Sequence, residues 1–265
     1  MESLAPVKIE VIHKRVSEIK ISLIICFYLR ASEVDIVPSY IHMHLLLSIF
    51  TRLIDAVFPS VCGGCGKSGG LLCADCIANV PSASPATQSF ITAVFDYQNP
   101  IIRGVIWKFK YKNARGVAKY FGMALYDEII GEIGDDIRIS KNEVFLLVPI
   151  PLHAKRLRER GYNQSELLAR EIIKYAKEQG SEKMFKLAPG ALTRTRATKP
   201  QAKSEKRSTR FENLRGAFFA FPELVRGKHI ILIDDVTTTG ATLTSARKTL
   251  LKNGTKTVRA YAVAH

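Results

Sequence analysis

The sequence predicts an α/β protein built on a parallel sheet, with a ligand site at the carboxyl ends of its strands. Two short apolar runs, Val144 to Val148 and Ile230 to Ile233, have the composition of strands that are buried on both faces. Each run leads through polar residues into a helical pattern, which indicates βα units. With 265 residues, the chain is long enough for one main α/β core and a small satellite.

Two adjacent carboxylates and a hydroxyl-rich loop follow the second apolar run. Asp234 and Asp235 stand where the strand ends, and residues 237–242 (TTTGAT) precede a helix that stops at Asn253-Gly254. A loop entering a helix N-terminus offers free N–H groups to a phosphate, whereas carboxylates accept hydrogen bonds from sugar hydroxyls or hold Mg²⁺ through water. Turn and N-cap preferences alone also explain Asp and Thr here. The complete order of strand, acid pair, loop and helix favours a ribose 5-phosphate site.

The string from His229 to Gly254 resembles the phosphoribosyl pyrophosphate (PRPP) motif of the type I phosphoribosyltransferases. The resemblance implies that Asp234 and Asp235 contact the ribose 2′ and 3′ hydroxyls. It also implies that the following loop holds the 5-phosphate. The loop residues so assigned are Val236, Thr237, Thr238, Thr239, Gly240, Ala241 and Thr242. Purine-salvage members often carry Asp at the place of Thr238, and a threonine cannot serve as a general base, so the sequence argues against 6-oxopurine salvage.

Motifs further upstream indicate which family within this class the sequence resembles. The strings PIPLHAKRLRERGYNQ, from Pro149, and LTRTRATKPQ, from Leu192, resemble the ComF family of competence-associated phosphoribosyltransferase-like proteins. The match runs from about Leu45 to the C-terminus. It implies a type I phosphoribosyltransferase-like parallel sheet with flanking helices, preceded by a small Cys-rich module.

Basic residues are concentrated between Leu152 and Gly216, where 17 Lys and Arg stand against seven Glu and no Asp in a chain of formal charge +15. A run of charged residues is usually the solvent-exposed face of a helix. The high density of Lys and Arg in this segment favours anion binding instead. Cations and Mg²⁺ stabilise the charge that develops on a departing pyrophosphate. We predict a cationic hood made of Lys155, Arg156, Arg158, Arg160 and Arg194. The segment Pro149, Ile150 and Pro151 is predicted to face the pyrophosphate, and Arg156 and Arg160 to act with the acid pair in catalysis.

Two C-x₂-C pairs, Cys62/Cys65 and Cys73/Cys76, are separated by seven residues. Four thiolates at this spacing predict a closed structural Zn²⁺ site. A pair of disulfides would close strained loops, and an iron–sulfur cluster is the other alternative. The fifth cysteine, Cys26, lies outside the pattern.

Residues Ile91 to Tyr97 are predicted to form a strand, followed by helices over Pro100 to Phe109 and Ala114 to Ile130. Aromatic and basic residues alternate from Trp107 to Tyr111. Nucleic-acid bases can stack on such a segment. The helical spacing of its apolar positions favours a helix face packed on the sheet instead.

The motifs described above predict that the chain has three parts. Residues 1–42 are expected to be a non-native or disordered extension, with translation beginning at Met43. Residues 43–85 are expected to form the zinc module behind an amphipathic helix, whose apolar stripe is Leu46, Ile49, Phe50, Leu53, Ile54 and Val57. Residues 86–265 are predicted to form the phosphoribosyltransferase-like domain. The apolar run Ile21 to Leu29 is too short to span a membrane, and we expect a cytoplasmic protein.

The function implied is transfer of a phosphoribosyl group from PRPP, with Mg²⁺, to a nitrogen nucleophile, with release of pyrophosphate. Two other functions stay open: a non-catalytic PRPP- or nucleotide-binding accessory protein, and a competence factor that binds single-stranded DNA. The ComF resemblance implies a link to the DNA-uptake machinery. The sequence leaves the acceptor unidentified and the oligomeric state open, with a dimer compatible with it.

Overall fold

The computed structural model describes residues 61–134, 143–195 and 217–265, which form a five-stranded parallel sheet, a two-stranded ribbon and the helices around them. The sheet has the order β1-β7-β6-β2-β3. Its strands are β1 (Ile91–Phe95), β2 (Phe145–Pro149), β3 (Phe185–Leu187), β6 (His229–Val236) and β7 (Thr257–Ala264). The strands β4 (Leu192–Arg194) and β5 (Phe218–Ala220) pair antiparallel as a separate ribbon.

Helices cover both faces of the sheet. In chain order they are α1 (Ala74–Ala78), α2 (Pro100–Tyr111), α3 (Ala118–Gly134), α4 (Ala154–Arg160), α5 (Gln164–Glu178), α6 (Pro222–Val225) and α7 (Ala241–Lys252). One face packs on α2, α3 and α5, and the other packs on α7 and the β4–β5 ribbon. Burial on both faces explains why the central strands are apolar along their whole length.

Alternate residues of β6 enter the two cores. Ile231 and Ile233 belong to the core that contains α2, α3 and α5, while Ile230 and Leu232 belong to the core that contains α7. All four side chains are fully buried. Burial of each such side chain stabilises the fold by about 1.5–3 kcal/mol, so this strand holds the two layers together.

The chain connections diverge between β2 and β6. The crossover after β2 leads to β3 on one side, whereas the crossover after β6 leads to β7 on the other side. Adjacent parallel strands whose connections run in opposite directions leave a crevice at their carboxyl ends, and open α/β sheets bind ligands there. The backbone N–H of Ile150 donates to the carbonyl oxygen of Ile233 at 2.9 Å, which fixes the two strand ends side by side.

The predicted fold class is confirmed: the structure has a parallel sheet flanked by helices, with a Cys cluster near its N-terminal side. The strands predicted around Ile91, Val144 and Ile230 are present as β1, β2 and β6. The helix predicted from Ala114 begins with a 3₁₀ turn, Arg115–Val117, before α3. The predicted extension, the amphipathic stripe before Phe58 and the basic residues from Arg196 to Gly216 lie outside the described residues.

Among the described segments, no helix is both long enough and apolar enough to span a membrane.

Candidate functional site

The acid pair lies at the crevice between β2 and β6. Asp234 and Asp235 are the sixth and seventh residues of β6, and Asp234 follows Ile233, which is in register with Pro149 of β2. Parallel strands bring their carboxyl ends to one edge, so the predicted Pro149–Pro151 segment and the acid pair meet there. The structure thus brings together the two motifs that the sequence placed at strand ends.

Asp234 is held by groups from two elements. Ser165 Oγ, at the start of α5, donates to Asp234 Oδ1 at 3.1 Å, and the backbone N–H of Asp235 donates to the same oxygen at 2.9 Å. Desolvation and the neighbouring Asp235 carboxylate raise the pKa of Asp234 to about 7, because both disfavour its charged form. A carboxyl group that changes charge near neutral pH therefore lies in the crevice.

Asp235 faces two cations. Lys110 Nζ lies 3.0 Å from Asp235 Oδ1, and a guanidinium nitrogen of Arg160 lies 4.0 Å from Asp235 Oδ2. The side chains of Lys110 and Asp235 are only 17% and 11% exposed, so the pair is largely removed from water. Arg160 was predicted from the sequence as a site residue, whereas Lys110 was not and belongs to the segment predicted to pack against the sheet.

The loop after the acid pair enters α7 through a glycine. Gly240 is the N-cap residue of α7, with φ of 69°, and in the described part of the chain no side chain caps this helix. The first N–H groups of α7 are therefore not satisfied by a cap residue and suit an anion. A Cβ at Gly240 would collide with the side-chain amide of Gln88 and lie 2.8 Å from Ile91 Cδ1.

Gln88 supports this loop and was not predicted. Its side-chain nitrogen donates to the carbonyl oxygen of Thr239 at 3.2 Å across 151 residues of sequence. Of the loop threonines, Thr237 is buried and Thr238 is exposed, and the N–H of Thr237 donates to Ala264. The loop is thus fixed from the segment that precedes β1 and from the end of β7.

The end of β2 continues into α4, which carries four of the five predicted hood cations. Lys155 and Arg158 are exposed, Arg156 is partly buried, and Arg160 reaches the acid pair. Arg160 also donates to Gln164 Oε1 at 2.9 Å and lies 5.2 Å from the Tyr111 ring.

The fifth predicted hood cation, Arg194, lies at the end of β4 with its guanidinium 5.4 Å from the Phe218 ring centroid. Desolvation lowers the pKa of Arg194, as does Arg156, while Asp234 raises it. Arg156 and Arg194 are thus electrostatically linked to each other, and Arg194 is linked to the acid pair.

The α4–α5 turn is tied to the end of β2. Asn163 Nδ2 donates to the carbonyl oxygen of Ile150 at 3.1 Å, and Asn163 Oδ1 accepts from the N–H of Ser165 as the N-cap of α5. The string GYNQS therefore positions Ser165 against Asp234, a role that the sequence motif did not specify.

The four predicted metal ligands form one cluster. The Sγ atoms of Cys62, Cys65, Cys73 and Cys76 all lie within 4.8 Å of one another, and the cysteines are free. The Cys65 and Cys73 sulfurs are 3.6 Å apart, much farther than the ~2.05 Å of a disulfide bond. Four Zn–S bonds of about 2.3 Å in a tetrahedron separate the sulfurs by about 3.8 Å, so the cluster fits one metal ion.

Backbone N–H groups within the cluster donate hydrogen bonds to one of its four sulfur atoms. The N–H groups of Gly64 and Cys73 each donate to Cys62 Sγ at 3.4 Å. Burial alone would raise the pKa of Cys62, but these hydrogen bonds and one from Cys65 lower that pKa to about 6. A methyl group at Gly64 would lie 2.7 Å from Cys76 Sγ, so the turn needs a glycine there.

An aromatic and basic surface lies beside the acid pair. Trp107 and Tyr111 of α2 are 45% and 60% exposed, while Phe109 between them is fully buried. Lys112 Nζ lies 5.3 Å from the Trp107 ring centroid. The predicted packing of this helix on the sheet therefore holds for Phe109, and the two flanking rings face solvent.

The similarity of the sequence to known proteins agrees with this fold. Residues 167–265 match the family described as the phosphoribosyl transferase domain. The chain is 28% identical over 216 residues to the DNA utilization protein YhgH of Escherichia coli O157:H7, covering 77% of this chain and 88% of that protein. It is 26% identical over 216 residues to competence protein F of Haemophilus influenzae, covering 78% of this chain and 85% of that protein.

A third relative is competence protein ComFC of Bacillus subtilis, which is 32% identical over 167 residues, or 61% of this chain and 58% of that protein. The chain therefore contains a phosphoribosyl transferase domain. The chain is also a homologue of the DNA utilization protein YhgH and of the competence proteins ComFC and F, as the sequence motifs implied.

Proposed function

We propose that the protein binds PRPP with Mg²⁺ and transfers its phosphoribosyl group to a nitrogen nucleophile, releasing pyrophosphate. The observation that supports this most is the convergence of the acid pair with the α7 loop at the β2–β6 crevice. Carboxylates suit the ribose hydroxyls and the uncapped helix N-terminus suits the 5-phosphate. Cations from α2 and α4 lie beside Asp235, and such cations can stabilise an anionic leaving group.

In this proposal the chain acts by positioning and electrostatics. Asp234 and Asp235 accept hydrogen bonds from the ribose hydroxyls, and the α7 loop holds the 5-phosphate. The acceptor nitrogen donates its electron pair to ribose C1 while the C1–O bond breaks. The bond electrons leave with the pyrophosphate oxygen, and the configuration at C1 inverts. Arg156 and Arg160 stabilise the charge that develops on this oxygen.

The oxygen-rich environment of the acid pair suits Mg²⁺, which prefers carboxylate, phosphate and water oxygens. Bound beside Asp234 and Asp235, Mg²⁺ would supply charge neutralisation for the phosphate oxygens. The Cys62, Cys65, Cys73 and Cys76 cluster is proposed to hold a structural Zn²⁺, because four close thiolates make a closed site without an open position.

The test of transfer is pyrophosphate release from Mg·PRPP in the presence of a panel of nucleobases, amines and amides. We expect release that depends on one class of acceptor and is lost in D234N/D235N. PRPP binding without release across the panel would favour the non-catalytic accessory protein instead.

A second function, binding of single-stranded DNA, is supported by the exposed Trp107 and Tyr111 with their neighbouring cations. Each stacked base contributes about 1–3 kcal/mol. The names of the relatives, DNA utilization and competence proteins, agree with a role in DNA handling. In this case W107A/Y111A weakens oligonucleotide binding about tenfold or more, whereas D234A/D235A leaves it unchanged. Equal binding by W107A/Y111A and the wild type would contradict this function.

A further inference from the structure

Lys110 occupies an unusual position for a lysine. It lies in the last turn of α2, next to the fully buried Phe109, and its ammonium group reaches inward to Asp235 at 3.0 Å. Removing an ammonium group from water is costly unless a charge partner compensates. By contrast, Lys112, two residues later, is exposed. The local fold therefore directs one cation of this basic segment into the crevice.

The contact of Lys110 with Asp235 involves the same carboxylate that is proposed to accept hydrogen bonds from the ribose hydroxyls. Lys110 faces Asp235 Oδ1, and Arg160 approaches Asp235 Oδ2, so both carboxylate oxygens already have a cation nearby. A carboxylate has about four lone-pair sites, so it can accept from ribose hydroxyls beside a cation, and withdrawal of Lys110 would leave Asp235 Oδ1 fully available to them. A PRPP molecule brings its own phosphate oxygens into the crevice, and these offer the withdrawn cation a new partner.

Lys110 is better suited than Arg160 to make this move. Arg160 is also held by Gln164 at 2.9 Å and lies over the Tyr111 ring. In the segments that the structure describes, the Lys110 ammonium has one polar partner, Asp235. A lysine also has a flexible stem and three donors that can turn to new acceptors, unlike the planar guanidinium fork.

We propose that Lys110 is a ligand-contacting residue that neutralises Asp235 in the free protein and moves to the pyrophosphate oxygens when PRPP binds. This inference rests on the proposed PRPP function. It assigns to α2 a direct part in holding the leaving group. The ligand class that Lys110 recognises is a diphosphate, not the sugar 5-phosphate, which is assigned to the α7 loop.

The test compares K110M, which keeps the aliphatic stem, with K108M as a matched control on the same helix. Binding of PRPP, inorganic pyrophosphate and ribose 5-phosphate is measured by calorimetry with Mg²⁺. We expect K110M to weaken PRPP and pyrophosphate by about tenfold or more, with ribose 5-phosphate changed less than about threefold. K110R should recover most of the loss, and K108M should match the wild type.

Equal losses of pyrophosphate and ribose 5-phosphate affinity in K110M, or unchanged affinity for both ligands, would overturn the inference alone. Absence of PRPP binding by the wild type would overturn the proposed function and this inference with it.

Discussion

At the scale of single residues, the two adjacent aspartates have different environments. Asp234 accepts hydrogen bonds from Ser165 and from the Asp235 N–H, and its pKa is raised by desolvation and by Asp235. Asp235 is paired with Lys110. Neighbouring carboxylates with unlike environments can perform different tasks. Here one changes its charge near neutral pH, and the other already has a counter-ion.

The raised pKa of Asp234 has a consequence for stability. Between about pH 4 and pH 7, Asp234 ionises more readily in the unfolded chain than in the folded protein, so its contribution to stability falls as pH rises through this window. D234N keeps an oxygen for Ser165 and removes the charge. We expect D234N to be more stable than the wild type at pH 8 by roughly 1–3 kcal/mol, with the difference vanishing near pH 4.

The measurement is denaturant unfolding of the unliganded protein at several pH values, with D235N as control. D235N leaves the partly buried Lys110 without its partner, so it should lower the free energy of unfolding at pH 8. A D234N variant that is less stable than the wild type at pH 8 would show that the Asp234 carboxylate is not disfavoured by its surroundings.

At the scale of elements, α2 connects the Cys cluster to the acid pair. Cys62 and Leu72 belong to the same buried cluster as Val105 and Phe109 of α2. A methyl group at Gly64 would lie 3.1 Å from Ile101 Cδ1, which shows how closely the first C-x₂-C turn approaches the start of α2. Lys110 lies at the opposite end of this helix. The Cys cluster therefore supports the helix that carries Lys110.

Loss of the metal is predicted to loosen α2. Without an ion nothing links the four sulfurs to one another, so the C-x₂-C turns should no longer hold their packing against Ile101 and Val105. We expect C62S to lower the melting temperature by roughly 5–15 °C and to speed amide hydrogen exchange in α2. The comparison is C26S, which changes the cysteine outside the cluster and should keep the metal content of the wild type. Unchanged exchange in α2 after verified metal loss would contradict this support.

At the scale of the whole molecule, the order of the sheet determines where a ligand can bind. Because β2 and β6 are adjacent and their connections diverge, their carboxyl ends form the crevice that contains both the Pro149–Pro151 segment and the acid pair. The helical layers supply the cations from one side, through α2 and α4. The site is thus a product of topology, with residues from distant parts of the chain brought to one edge.

Much of this arrangement could be predicted from local sequence. The apolar run before Asp234, the glycine at the entry to α7 and the cysteine spacing each identify a structure within a short segment. Parallel strands place their carboxyl ends together, so the convergence of Pro149 with the acid pair also followed from the sequence.

Contacts between distant segments could not be predicted in this way. Gln88 donates to the carbonyl oxygen of Thr239 across 151 residues of sequence, and no sequence motif links the two residues. In the sequence, Lys110 is one of several basic residues of a helix. Only the packing of Phe109 and the order of the sheet show that the Lys110 side chain reaches Asp235. The unequal exposure of the α4 cations likewise depends on how α4 lies against its neighbours.

The measurement that tests the central claim most directly is calorimetric titration of PRPP, with and without Mg²⁺, into the metal-replete wild type and D234A/D235A. We expect Mg²⁺-dependent binding by the wild type and an affinity loss of about 100-fold or more in the double variant, because the ribose hydroxyls lose both acceptors. The folded state of the variant is checked by thermal unfolding. No binding by the wild type, or equal binding by D234A/D235A, would contradict the assignment of this crevice as a PRPP site.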